Sequence, residues 1–239
     1  MSSIKIDKLI RSHRKTIGLQ ITKEAHLIVR APYLASEAFI YKLINRKVSW
    51  IKSKQEYFKQ HQNKTLSRTF TPGEEFLFLG QSYTLQVVDD LPKAVVLGDF
   101  LSFPRKRESI MIAQVALNNA RDHLECWYKT QALEYITQRV EYYASSAELK
   151  YKSVRVNDAA TRWGSCGHKD TLNFTWRLIM APSRVIDYVV VHELMHIKEK
   201  NHSKRFWSEV KSVIDDYRWD EIWLKKNAHL LSWPNSGIY

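Results

Sequence analysis

His192, Glu193 and His196 stand in the order HExxH within VVVHELMHIKEKNHSKRFW, residues 189–207, and His202 follows six residues after the second histidine. On an α-helix, residues four apart are separated by about 400° of rotation, one turn plus roughly 40°, so His192 and His196 project from one face and can share a metal ion. Glu193 sits about 100° round from His192 and can reach the metal's open side. His202 would lie about 240° from His196 if the helix ran on, so the helix must stop before it. Lys198, Lys200 and Asn201 suit such a stop, since cations favour a helix C-terminus and asparagine tolerates a left-handed turn. Three imidazoles suit zinc, which in catalytic sites takes three protein ligands and keeps a fourth position for water. Binding lowers the pKa of that water from about 15.7 to near 7. Glu193 would take its proton and pass it to a leaving group, while the ion polarises the carbonyl or phosphoryl oxygen under attack. The expected cofactor is Zn2+, with His192, His196 and His202 as ligands and Glu193 as the catalytic base.

The flanking sequence must position these groups. Ser183, after Ala181 and Pro182, is placed to cap the HExxH helix, and Val185, Ile186, Val189, Val190 and Leu194 supply its buried face. Ser203 is placed to cap a following helix with an apolar stripe of Phe206, Val210 and Val213. Upstream, Lys152–Val156 and Thr171–Trp176 read as strands around TRWGSCG, residues 161–167. Helical spacing from Ser109 to about Tyr143, with no Pro or Gly, predicts a long supporting helix. Before it, alternation over Ile4–Ile10, Lys15–Thr22 and His26–Arg30 predicts a small antiparallel sheet with a basic turn at Arg11–Lys15. One helix, capped by Ser36, is predicted to run to about Gln60. Phe76–Leu79 and Ser82–Val88 flank Gly80-Gln81 as a hairpin, and Ala94–Leu97 and Phe100–Phe103 flank Gly98-Asp99 as another. The expected fold is α+β, with a β-rich amino-terminal domain over 1–108 carrying one helix and a catalytic domain over 109–239.

The 239 residues carry 37 Lys and Arg against 25 Asp and Glu, a formal net charge of +12, and the sequence pI is near 9.6. The cations are scattered among apolar residues, so they predict a basic folded surface that admits a nucleic-acid or nucleotide partner, not a basic tail. No disulfide framework is needed, and the two cysteines, Cys126 and Cys166, fit a reducing compartment. No run approaches the length of a membrane span, and the first residues lack a signal-peptide apolar segment, so the expected location is cytoplasmic, with no membrane partner.

WGSC at 163–166, LNFTWRLIMAP at 172–182 and IDYVVVHELMHIKEKNHSKRFW at 186–207 together resemble the YgjP-like metallopeptidase family. VRAP at 29–32, the helix around Trp50-Ile51 and GEEFLFLGQSYTLQV at 73–87 extend the resemblance over nearly the whole chain. That family is similar to the gluzincin-like and SprT-type zinc peptidases. The resemblance implies a minimal zincin core: the HExxH helix, a long supporting helix and a small sheet. Metzincins share the histidine spacing but carry glycine where this chain has Glu199, which disfavours that assignment. The resemblance leaves the substrate open, because at least one member is described as a pyrophosphatase acting on UTP. A peptide or protein substrate is therefore the first expectation, a nucleotide the second, and a DNA-associated protease of SprT type the third.

In zincins a strand beside the active-site helix aligns an extended peptide, and Thr171–Trp176, with Asn173 at its middle, is the candidate here. Arg162 and Trp163 are candidate substrate contacts, set against packing of Trp163 beneath the site. Cys166 is a candidate fourth, inhibitory ligand, set against the commoner role of a small buried side chain. Asp187 and Glu209 are the carboxylates that could orient a ligand imidazole.

Overall fold

The structure, a computed structural model, describes residues 4–22, 24–61, 68–89, 94–98, 109–231 and 233. The chain divides into two compact units, Met1–Leu66 and Ser67–Tyr239.

In the first unit, β1 (Lys8–Ser12), β2 (Gly18–Ile21) and β3 (Leu27–Pro32) form a sheet in the order β1-β3-β2. Its centre is β3, whose alternate residues Leu27, Val29 and Ala31 are fully buried against Ile40, Ile44 and Ile51. The sheet is mixed, unlike the antiparallel sheet that alternation predicts: β2 runs antiparallel to β3, but β1 runs parallel to it. Alternation fixes which face is buried and says nothing about strand direction. The basic turn is partly structural, since the Arg11 guanidinium donates to the carbonyls of Pro32 and Ala35. The single predicted helix is two, α1 (Glu37–Arg46) and α2 (Val48–His61), with Ser36 Oγ accepting from Phe39 N–H at 3.3 Å. Ile44 and Ile51, two turns apart, remain buried on either side of the break at Lys47, so the apolar spacing carries no trace of it. With helices of 10 and 14 residues against strands of 5, 4 and 6, this unit is not mostly β.

In the second unit, β4 (Glu75–Phe78) and β5 (Gln81–Val88) form the predicted hairpin, but it turns one residue earlier than expected, through Leu79 and Gly80 at φ 48° and 80°, with Gln81 already in the strand. β6 (Val95–Gly98) and β7 (Ser109–Ala113) complete a sheet in the order β4-β5-β7-β6. The second predicted hairpin partner, Phe100–Phe103, lies outside the described residues. The helix predicted from Ser109 starts later. SIMIA is β7, buried at four of its five positions and paired on both sides; a 3-10 turn spans Gln114–Asn119, and α3 runs Ala120–Ser146. A short apolar run buried on both faces has no period of its own to distinguish strand from helix. On α3, Leu124, Tyr128, Ala132, Ile136, Val140 and Ala144 form the buried face. Phe76, Leu85, Ile110 and Ile112 share one core with α3, so the β4-β5-β7-β6 sheet belongs with the later elements and the chain divides near 66, not at 108.

A second sheet, β8 (Ser153–Asn157), β9 (Gly164–Cys166) and β10 (Thr171–Thr175), has the order β8-β10-β9. The 3-10 segment Trp176–Met180 then leads into α4 (Ser183–Lys198), followed by α5 (Lys204–Val213) and α6 (Tyr217–Asn227). The β4–β5 turn steadies the approach to α4. Leu79 N–H donates to Ile179 O at 2.8 Å and Gly80 N–H to Met180 O at 3.2 Å. A Cβ on Gly80 would come within 2.8 Å of Pro182 Cα, so only glycine allows this contact. Among the described residues, no helix is long and apolar enough to cross a membrane.

Candidate metal centre

α4 brings the first two histidines onto one face. Val185, Ile186, Val190, Val191 and Leu194 are buried on its other faces, leaving His192 and His196 half-buried at the rim. Ser183 does not cap it; Pro182 holds the cap position and its carbonyl accepts from Val185 and Ile186, while Ser183 is the first helical residue. The helix stops where expected but by a different device. Glu199 turns to extended backbone, φ −125° and ψ 105°, with no left-handed residue at Asn201. The turn leaves Glu199 O free to accept from His196 Nδ1 at 3.0 Å, which directs the ring's other nitrogen outward. Ser203 caps α5 as predicted, its Oγ accepting from Phe206 N–H at 3.3 Å.

The stop returns His202 to the other two. One ligand nitrogen from each of His192, His196 and His202 lies within 4.8 Å of the others, and the Nε2 atoms of His192 and His202 are 3.0 Å apart. Phe206, fully buried, floors all three rings: it stacks on His196 at 4.4 Å and meets His192 and His202 edge-on at 4.9 Å each. Burial pushes the His192 pKa down to about 3, with His196 and His202 adding to the effect, and burial also lowers that of His196. Both rings are thus neutral, with lone pairs available. Two facing ring nitrogens that cannot both carry protons are a donor set that fits a cation, and three imidazoles leaving one side open are the donor set of a catalytic zinc site. His192 Nδ1 is buried without a hydrogen-bond partner, so the ring's other nitrogen is the one available to an ion.

Glu193 is 6% exposed, facing β9. Burial pushes its pKa up to about 7, against the opposing pull of a hydrogen bond from Cys166 N–H and the positive charge of Arg162. The β9 register explains that hydrogen bond. Thr175 N–H donates to Trp163 O and Gly167 N–H to Thr171 O, and Ser165, opposite Asn173, is in phase with them. The backbone groups of Gly164 and Cys166 therefore face away from β10, toward the sheet's free edge. A Cβ on Gly164 would lie 2.6 Å from Glu193 Cγ and 2.7 Å from Oε1. Glycine is required because the carboxyl occupies that space.

The chain matches the YgjP-like, metallopeptidase domain family over residues 15–227. It belongs to that family. A metallopeptidase domain works through a metal ion, and the imidazole cluster is where one fits. The chain is also similar to the metallopeptidase zymogen of Pyrococcus abyssi abylysin, at 22% identity over 39% of this chain and 92% of that one, with a TM-score of 0.35. A second similar structure is the metallopeptidase zymogen of Methanocaldococcus jannaschii jannalysin, at 23% identity over 40% and 96%, also with a TM-score of 0.35. No curated protein sequence matches the chain.

Other expected residues of this family member fall differently. Thr171–Thr175 is the central strand, paired on both sides, so among the described residues the free edge beside α4 is β9. Asn173 donates its amide to the carbonyls of Ser165 and Thr171 at 3.4 and 3.3 Å, bracing the β9–β10 hairpin. Trp163 is half-buried against the core, while Arg162 is exposed and acts on Glu193 through its charge. Cys166 Sγ lies outside the imidazole cluster, 3.7 Å from Gly167 O. Neither candidate carboxylate reaches a ligand ring. Asp187 receives Arg139 at 2.6 and 2.9 Å and Glu209 receives Lys198 at 3.0 Å, leaving the Glu199 carbonyl to orient His196. The roles of Gly164, the Cys166 amide and Phe206 are not evident from the sequence: the run of small residues in WGSC is the signal for the first two, and nothing distinguishes Phe206 from an ordinary helix stripe.

Proposed function

We propose that the protein is a zinc-dependent peptidase with a zincin-like core. The observation that carries this reading is a buried carboxyl, Glu193, set between three converging imidazoles and the free edge of β9. His192, His196 and His202 would hold the ion, which when bound supplies Lewis acidity and a water acidic enough to react near neutral pH. Glu193 takes up the proton that water gives up, holds it away from bulk solvent and delivers it to the leaving amine. The hydrogen bond from Cys166 N–H and the contact with Gly164 keep the carboxyl in one place while it does so. An extended substrate adds to the sheet edge through the outward backbone groups of β9 that Glu193 leaves unused, the Cys166 N–H being held by the carboxyl.

A peptide fits better than a nucleotide because three of the cations around the ligand loop are engaged by carboxylates. Lys198 pairs with Glu209 at 3.0 Å, Lys200 with Asp170 at 2.7 Å and Arg205 with Glu199 at 3.8 Å. Phosphoanhydride recognition needs several cations aimed at one spot. The net charge of +12 keeps two readings in play, a nucleoside triphosphate pyrophosphatase and a protease working on nucleic acid. The test is to give zinc-loaded protein and its Glu193→Gln variant an unstructured protein substrate and a panel of nucleoside triphosphates. The expected result is protein cleavage that disappears in the variant. Pyrophosphate release that disappears in the variant, without protein cleavage, would replace the peptidase reading.

A further inference from the structure

His202 differs from its two partners in what fixes it. His192 and His196 are carried by a regular helix packed into the core, whereas His202 is exposed and lies between α4 and α5. Ring contacts hold it there. Trp207 stacks on His202 at 5.8 Å and 30° between planes, Tyr217 stacks on Trp207 at 5.2 Å and 14°, and Tyr188 stacks on Tyr217 at 6.1 Å and 11°. Tyr188 sits on α4 one turn before His192 and meets that ring edge-on at 5.9 Å. The four rings form a ladder that leaves the helix bearing the first two histidines, crosses α6 and α5, and returns to the third.

We infer that this ladder positions the third metal ligand, which makes Trp207 and Tyr217 positioning residues for the ion. The inference rests on the metal-site reading given above. Its physical basis is pre-organisation: a ring already held in one orientation loses less freedom when it ligates a metal than one that rotates in a loop. Offset-parallel rings at these separations attract one another and restrict tilt. With Tyr217 fixing one face of Trp207, the indole has a set plane to present to His202. Phe206 closes the remaining side of the His202 ring, and the backbone between Glu199 and Ser203 is released from that task.

Zinc affinity, measured by competition with a chromogenic chelator, tests this directly in wild type, Trp207→Ala, Trp207→Phe, His202→Ala and the Trp207→Ala/His202→Ala double variant. Trp207→Ala should weaken zinc binding about 10- to 100-fold, and Trp207→Phe should recover most of that loss. Trp207 also meets His192 edge-on at 5.7 Å, so in the His202→Ala background Trp207→Ala should cost much less than it does in wild type, only that residual contact being left to lose. An unchanged affinity in Trp207→Ala, or an equal additional loss in the double variant, would overturn the ladder. Tyr217→Leu removes the rung behind Trp207 without touching His202, and it gives the same reading if Trp207→Ala fails to fold: a weaker affinity supports the ladder and an unchanged one refutes it. A wild-type protein that binds no zinc would instead bring down the metal-site reading itself, a result distinct from zinc-replete wild type with an indifferent ladder.

Discussion

Glu193 is specified from two sides, by a helix of sixteen residues and a strand of three, and the two work by opposite means. α4 holds its functional face through many additive contacts: Val185, Ile186, Val190, Val191 and Leu194 are all fully buried, and no single one sets where His192 points. β9 holds Glu193 through one missing side chain, at Gly164, and one backbone N–H, at Cys166. The helix spreads its information over a periodic pattern and tolerates loss at single positions. The strand concentrates its information at two backbone sites, where a single atom matters.

The largest expected effect tests the helix side at a position that is not redundant. His196→Ala should leave α4 folded and reduce zinc content to background, as measured by elemental analysis of the purified protein; stoichiometric zinc in that variant would remove His196 from the ligand set. Next is the strand side. Gly164→Ala should retain zinc while its rate of hydrolysis falls about 10- to 100-fold, since small displacements of a reacting group cost about that much. An undiminished rate would show that β9 does not set the carboxyl, and the contrast with α4 would collapse.

A smaller effect concerns charge. In metal-stripped protein, burial raises Glu193 to about 7 from 4.5, so the folded chain keeps a proton that the unfolded chain releases. That contribution is full below the unfolded value and is lost as pH rises through about 7. Metal-stripped Glu193→Gln should therefore melt higher than wild type near pH 8 and equally near pH 4. His192 acts in the opposite sense. Its pKa is depressed from 6.5 to about 3, so its contribution is present above 6.5 and fades as pH falls toward 3 in both proteins alike. The smallest effect is local: Ser203→Ala removes the α5 cap and should cost about 1 kcal/mol of stability by denaturant titration.

The same contrast explains what the sequence discloses. The HExxH helix, the cap at Ser203 and the β4–β5 hairpin are legible because periodicity, capping chemistry and turn chemistry leave local marks; the place of the helix stop follows from His202, but its device, extended backbone at Glu199, does not. β7 reads as helix in the sequence because SIMIA is buried on both faces and has no distinguishing period. The parallel pairing of β1 with β3, and the central place of β10, depend on which strands meet, and no local pattern records that. The fit of Gly164 against Glu193 joins residues 29 apart in sequence, and the Trp207–Tyr217–Tyr188 ladder joins three helices. Both arise only once the chain has folded.

The central claim is a zinc ion held by three imidazoles within reach of Glu193. The most direct test is X-ray absorption at the zinc edge on zinc-loaded protein, combined with metal content. The expected result is about one zinc per chain with nitrogen and oxygen neighbours at about 2.0–2.1 Å and an imidazole scattering pattern. A sulfur neighbour at about 2.3 Å, which would place Cys166 on the metal, or an absence of bound zinc would contradict it.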